Sequence, residues 1–103
     1  MPNKFTYHSK YGTYNDCYFR VSHYVSNDRI AIQIWNSEDG PIADVTVNVD
    51  EPLAKNEIAV KDYSENEGML KEMMRIGLVT QVKRFIHSGF VQIPICEYNE
   101  KLL

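Results

Sequence analysis

The chain has 103 residues, two cysteines and a net charge of −3, so it is long enough to form one domain over residues 1–103 with its own hydrophobic core and without a disulfide framework. The N-terminal residues lack the apolar core of a signal peptide, and no stretch approaches the roughly 20 apolar residues that a membrane span needs. We therefore expect a cytoplasmic protein with reduced thiols.

Charge is distributed unevenly along the chain. Residues 37–77 contain ten acidic and four basic residues, whereas residues 1–36 and 78–103 are mildly basic. An acidic segment between basic ones indicates a charged partner and says nothing about the fold.

The N-terminal third shows strand patterns. Residues 1–14 are polar and aromatic and predict either a short first strand or a loosely ordered arm. In residues 17–25 the side chains alternate between two faces with a period of two, which is typical of a strand. Residues 29–35 alternate in the same way, and their three isoleucines share one apolar face.

Residues 29–49 predict a β-hairpin. Asp39-Gly40 lies in the polar link between the two apolar runs, and this dipeptide favours a tight turn because glycine accepts a positive φ. The return strand is predicted to extend to residue 49, because Ala43, Val45 and Val47 alternate with more polar residues. A loop over 50–56 and a short strand over 57–62 follow.

The sequence predicts one helix, over residues 65–76, where the apolar residues repeat at helical spacing. Ser64 and Glu67 have the spacing of a capping box at its start, and Gly77 is placed to end it.

The C-terminal part returns to the period of a strand over residues 79–86 and 90–96, with a turn at Ser88-Gly89. Pro94 cannot donate a ladder hydrogen bond, so we expect the last strand at a sheet edge, where an unpaired edge would allow a homodimer. Residues 97–103 are expected to be a polar tail. The predicted fold class is α+β, an antiparallel sheet of five to six strands with one helix packed on it, in the order β-β-β-β-α-β-β.

Signs of catalysis or metal binding are weak. Cys17 and His23 share a face of one predicted strand but lie roughly 20 Å apart at about 3.3 Å per residue, which excludes direct proton transfer within that strand. The histidines and cysteines lack the paired spacings of zinc sites, and no phosphate-binding motif is present. We therefore expect a protein that is not an enzyme and has no metal or cofactor.

The acidic segment is the first candidate surface. Exposed carboxylates can compete for a basic channel that normally holds nucleic acid, although ordinary solvation explains such residues as well. The candidates for contact with a partner protein are Glu38, Asp39, Asp50, Glu51, Glu57, Asp62, Glu65 and Glu67.

The aromatic and basic N-terminal third is the alternative surface. Exposed rings stack on bases while cations bind phosphates, so these residues suit RNA or single-stranded nucleic acid; tyrosines filling a half-buried sheet face would give the same pattern. The candidates on this surface are Lys4, Tyr7, Lys10, Tyr11, Tyr14 and Arg20.

Three segments resemble a family of small, uncharacterised bacterial domains found on plasmids and integrative elements of Firmicutes and gut bacteria. They are DGPIADVTVNV at 39–49, GL at 77–78 and SGFVQIPI at 88–95. The resemblance covers roughly residues 17–97, and its motifs are structural rather than catalytic.

In size and charge pattern the chain is also similar to the anti-CRISPR proteins that inhibit type II RNA-guided effector nucleases. The resemblance implies a non-enzymatic inhibitor encoded on a mobile element, which binds the nuclease or its guide-RNA complex and blocks assembly or DNA entry. The net charge is less negative than that of strong DNA mimics, so blocking through protein or RNA contacts fits equally well. The alternative is an accessory protein of a mobile element that binds RNA or single-stranded nucleic acid.

Overall fold

The computed structural model describes residues 4–103, in which seven strands and one α-helix are present. The strands are β1 (Phe5–Ser9), β2 (Gly12–His23), β3 (Ile30–Asn36), β4 (Gly40–Asp44), β5 (Glu57–Ala59), β6 (Val79–Ser88) and β7 (Val91–Tyr98), and the helix is α1 (Met69–Ile76). Short 3-10 turns lie at Ser64–Asn66 and Glu100–Leu102. The predicted α+β class is confirmed, but the antiparallel strands form two sheets instead of one.

The four-stranded sheet has the order β1-β2-β3-β4, and the three-stranded sheet has the order β5-β7-β6. In the first sheet Phe19 lies opposite Ile34. Both face the core, as do Cys17 and Ile32, and this agrees with the two-residue alternation of the sequence. No helix in the described part of the chain has the length and apolar composition needed to cross a membrane.

The two sheets are joined where the chain leaves β4. The N–H of Val45 donates to the C=O of Ile32 in β3 at 2.9 Å, whereas the C=O of Val45 accepts from the N–H of Lys61, beyond β5, at 2.8 Å. The chain thus changes hydrogen-bond partners at the fully buried Val45. For this reason β4 ends before Val45, and the return strand predicted up to residue 49 is shorter than expected.

A bridge between Thr46 and Val60 continues the connection, so the strands follow one another in space as β1-β2-β3-β4-β5-β7-β6. Helix α1 contacts β1 and β6, the two ends of this order. One cluster of buried side chains is shared by both sheets and the helix: Tyr7, Cys17, Phe19, Ile32, Ile34, Val45, Ile58, Val60, Met69, Met73, Leu78, Val79 and Cys96.

A second, smaller cluster lies on the other face of the three-stranded sheet. It contains Val49, Ala59, Ile86, Ile93 and Ile95. Strand β5 and the middle of β7 are therefore buried on both faces, one facing the shared core and the other facing the chain that follows β4, whereas most of β6 is exposed.

The predicted edge position of the last strand is wrong, because β7 lies between β5 and β6. The C=O of Pro94 accepts from the N–H of Val60 at 3.0 Å. The N and C=O of a strand residue point to the same side of the strand. The proline nitrogen, which has no hydrogen to donate, therefore faces the chain just beyond the end of β5 and does not face β6. The β6–β7 ladder is left intact, and β7, with a neighbouring strand on each side, is not the unpaired edge on which a homodimer was expected.

The start of the helix differs from the prediction. Gly68 has φ 98° and separates the 3-10 turn from α1, so the helix begins at Met69 instead of residue 65. The capping box of Ser64 and Glu67 does not form; instead Oδ1 of Asp62 accepts from the N–H groups of Gly68 and Leu70 at 3.1 and 3.0 Å. The helix ends at Gly77, as predicted.

The first described strand and the C-terminal segment both differ from the looser alternatives of the sequence analysis. Residues 5–9 form β1, so the strand alternative is correct there, and residues 1–3 lie outside the described residues. At the other end β7 extends to Tyr98, and Leu102 and Leu103 pack against the shared core. The segment 97–103 is therefore not simply a polar tail.

Candidate functional site

Five of the eight acidic candidates are exposed and free of salt bridges within residues 4–103. Glu38 and Asp39 lie in the β3–β4 turn, Asp50 and Glu51 in the loop after β4, and Glu67 next to the helix start. Because no cation of the described chain neutralises them, their charges are available to a partner.

Glu57 is a wrong candidate, because its side chain is buried and both of its carboxylate oxygens accept hydrogen bonds within the fold. One carboxylate oxygen accepts from the N–H of Ala54 at 2.9 Å, and the other accepts from Nη1 of Arg84 at 2.8 Å. These two hydrogen bonds, the first being the stronger cause, lower the pKa of Glu57. Asp62 is half-buried and caps the helix start, so it too has a structural role.

Tyr7 is a wrong candidate for stacking on a base. Its side chain is only 3% exposed, and its ring stacks on Tyr14 with 6.3 Å between the centroids. Burial, with a smaller contribution from Glu72, raises the pKa of Tyr7 to about 12, so the phenol is neutral at physiological pH. Tyr11, by contrast, is 71% exposed.

The structure brings members of the two candidate sets together in one cleft of about 160 Å³. We call it the tyrosine cleft; it is lined by Tyr7, Ser9, Tyr11, Tyr14, Ile42, Ala43, Glu65 and Asn66. The rings come from β1, β2 and the turn between them, and the carboxylate comes from the 3-10 turn before α1.

Asn66 positions Glu65 at the edge of this cleft. Its buried amide donates to the C=O of Asp44 and to the C=O of Lys61, the latter at 3.1 Å, and so fixes the 3-10 turn against β4. Glu65 itself accepts from Nζ of Lys61 at 2.7 Å, and its side chain is 55% exposed. Its pKa is lowered, mainly by the Lys61 hydrogen bond and to a small extent by Lys10.

A second group of polar and aromatic side chains lies on the face of β2, β3 and β4 that points away from the core. The Arg20 guanidinium stacks over the Trp35 ring at 4.3 Å, Trp35 Nε1 donates to Gln33 at 2.9 Å, and Gln33 donates to Asp44 at 2.9 Å. We call this group the Trp35 ladder. Of its members only Arg20 was a sequence candidate; the alternation that places Gln33 and Trp35 opposite the isoleucines was the signal for the others.

The cysteines are enclosed in the core. Both thiols are fully buried, and burial raises both pKa values, that of Cys96 to about 12. Neither is a thiolate at neutral pH, so neither has the reactivity of a nucleophilic cysteine. Among residues 4–103 no three His, Cys, Asp or Glu side chains are grouped to hold a metal ion.

No family model, curated protein or solved structure matches the chain.

Proposed function

We propose that this protein is a non-enzymatic inhibitor that binds a type II RNA-guided effector nuclease, or its guide-RNA complex, and blocks its activity. The supporting observation is the set of exposed carboxylates without salt-bridge partners in the described chain, above all the pair Glu38 and Asp39. A nuclease that holds nucleic acid in a positively charged channel offers a complementary surface to such groups.

The turn that carries this pair is held in one geometry. Oδ1 of Asn36 accepts from the N–H of Asp39 at 2.7 Å, while the Asn36 amide donates to the Asp39 carboxylate at 3.3 Å and to the C=O of Asn15 at 3.4 Å. Asn36 is only 5% exposed. Because the buried Asn36 side chain holds the turn in one geometry, the turn loses little conformational entropy when it binds a partner. This favours a tight complex.

The proposal is tested with a purified type II effector nuclease, its guide RNA and a target DNA. We expect cleavage to stop when the protein is added in stoichiometric amounts. The double variant Glu38→Gln/Asp39→Asn should inhibit several-fold less well, mainly through slower association, because it loses two charges at the contact. The control Asp28→Asn/Glu100→Gln removes two charges elsewhere and should inhibit normally. Unchanged cleavage at large excess, across several effectors, would contradict the proposal.

RNA or single-stranded nucleic-acid binding is a second candidate, supported by the Trp35 ladder. There an exposed guanidinium and an aromatic ring are stacked on a sheet face, the combination that binds phosphates and bases. Trp35 is the sole tryptophan, so its fluorescence reports on this face directly. Salt-dependent quenching by single-stranded RNA that weakens in Arg20→Ala would support this function, and a flat titration at low salt would dismiss it.

A further inference from the structure

We infer that the tyrosine cleft receives one lysine or arginine side chain of the partner protein. The inference rests on the proposed function and identifies the kind of group that the inhibitor recognises. The exposed ring of Tyr11, the stacked tyrosine pair beside it and the Glu65 carboxylate line one small opening and support the inference.

The size of the cleft fits a side chain. Its volume of about 160 Å³ exceeds the share of roughly 30 Å³ that one liquid water occupies, and it lies well below the roughly 300 to 1,000 Å³ of sites for drug-sized ligands. The head group of a basic side chain falls within this range, whereas a nucleotide cofactor does not.

The lining selects for positive charge. The face of an aromatic ring is negative, and cations are attracted within about 6 Å of its centroid. Tyr11 presents an exposed ring, and Tyr7 and Tyr14 form a stacked pair beside it. Glu65 is paired with Lys61 at 2.7 Å, but its side chain is 55% exposed and remains within reach of a second cation at the edge of the cleft.

The chain's own Lys10 shows that the Tyr11 ring, at the edge of this cleft, attracts a cation. Its Nζ lies 5.5 Å from the centroid of the Tyr11 ring. Lys10 is exposed, on the turn between β1 and β2, so a cation of the partner can displace it at little cost.

The cleft is tested on the isolated protein by NMR titration with methylguanidinium and methylammonium, with neutral N-methylurea as the matched control. We expect saturable shifts of the backbone amides of Ser9, Tyr11 and Tyr14 with the two cations and none with the urea. Tyr11→Leu and Glu65→Gln should each weaken binding about two- to five-fold, the range of an exposed cation–π or ion-pair contact. Phe90→Leu and Glu100→Gln change an exposed ring and an exposed carboxylate outside the cleft and should leave binding unchanged.

Lys10→Met separates local competition from overall charge. We expect it to tighten cation binding, because the competing ammonium is gone, whereas Lys71→Met makes the same charge change on α1 and should have little effect. Equal tightening in both variants would mean that net charge attracts the cation, and would overturn the inference.

The nuclease assay completes the test. Inhibition weakened by Tyr11→Leu and Glu65→Gln, but not by the two control variants, would support the inference. Inhibition that is unchanged in all four, or cations and urea giving equal shifts, would overturn it. Cation binding at the cleft without any inhibition of cleavage would instead count against the proposed function alone.

Discussion

Glu57 joins three segments of the chain through one carboxylate. It binds the N–H of Ala54 in the preceding loop and the guanidinium of Arg84 on β6, and Arg84 donates in turn to the C=O of Pro52 at 3.1 Å. The ion pair therefore spans β7 and holds the loop before β5 against the three-stranded sheet.

The stability of the protein should depend on pH through Glu57. Its pKa is lowered below the ordinary value of 4.5, so its contribution is present above that value and is lost as the pH falls through the folded pKa. We expect Glu57→Gln to lower the free energy of unfolding by about 1 kcal/mol at neutral pH and to flatten its decline below pH 4.5. Urea unfolding between pH 3 and 7 measures both effects, and equal acid slopes in the two proteins would contradict the assignment.

Residue types alone could not assign the roles of Glu57 and Tyr7. Acidic residues are usually exposed, and only the pairing of β5 with β7 places Arg84 within reach of Glu57. Likewise the alternation in β1 does not say which of its faces is inward, and Tyr7 is inward because it joins the core that both sheets and the helix share.

At the scale of elements, α1 is held at its start by a residue outside the helix. Asp62 accepts from two N–H groups that the first turn leaves without intrahelical partners. We expect Asp62→Ala to lower the free energy of unfolding by about 1 kcal/mol, as loss of a cap does. Ser64→Ala removes the residue that the sequence pattern favoured and should change it by less than about 0.5 kcal/mol. Urea unfolding of both variants decides between the two caps, since the reverse order of effects would favour the capping box.

The same helix covers the free edge of β1. The N–H of His8 donates to Glu72 Oε1 at 2.8 Å, and Arg75 Nη2 donates to the C=O of Thr6 at 2.7 Å. Glu72 and Arg75 also pair with each other at 2.9 Å. The ion pair thus takes the place of the acceptor and donor that a neighbouring strand would supply.

Removing this pair should create a strand edge that associates. We expect Glu72→Ala/Arg75→Ala to form dimers or larger species at concentrations where the native protein does not, because unpaired edge groups bind other strands. Size-exclusion chromatography with light scattering measures the mass. Glu67→Ala/Lys71→Ala removes an opposite pair of charges that does not contact β1, and association of this control to the same extent would contradict the role of the edge.

Elements defined by local alternation were predicted well, and those defined by distant contacts were not. The faces of β3 follow directly from Ile32 and Ile34. Strand β4 ends where Val45 changes its hydrogen-bond partner from β3 to the chain beyond β5. Pro94 is tolerated in a central strand because β5 stops before it would need the proline N–H. Neither contact can be deduced from the spacing of the residues.

At the scale of the molecule, the two sheets share one core. Cys17 in the first sheet and Cys96 in the second are both fully buried in the shared cluster. We therefore expect one cooperative unfolding transition in urea, in which the fluorescence of Trp35 and the reactivity of both thiols change together. Two separated transitions would mean that the sheets unfold independently, contrary to a shared core.

The tyrosine cleft is also a property of the whole molecule. Its rings and its carboxylate lie more than 50 positions apart in sequence, and they meet because the 3-10 turn is fixed against β4 by Asn66. The sequence supplied both sets of candidates, but it assigned them to different surfaces and different partners.

The enclosure of both native thiols has a practical consequence. Phe90 stands fully exposed at the tip of the β6–β7 hairpin, so a cysteine introduced there would carry an exposed thiol for a maleimide dye or photocrosslinker, whereas the thiols of Cys17 and Cys96 are buried. A bound partner could then be captured and identified with the two original cysteines left in place.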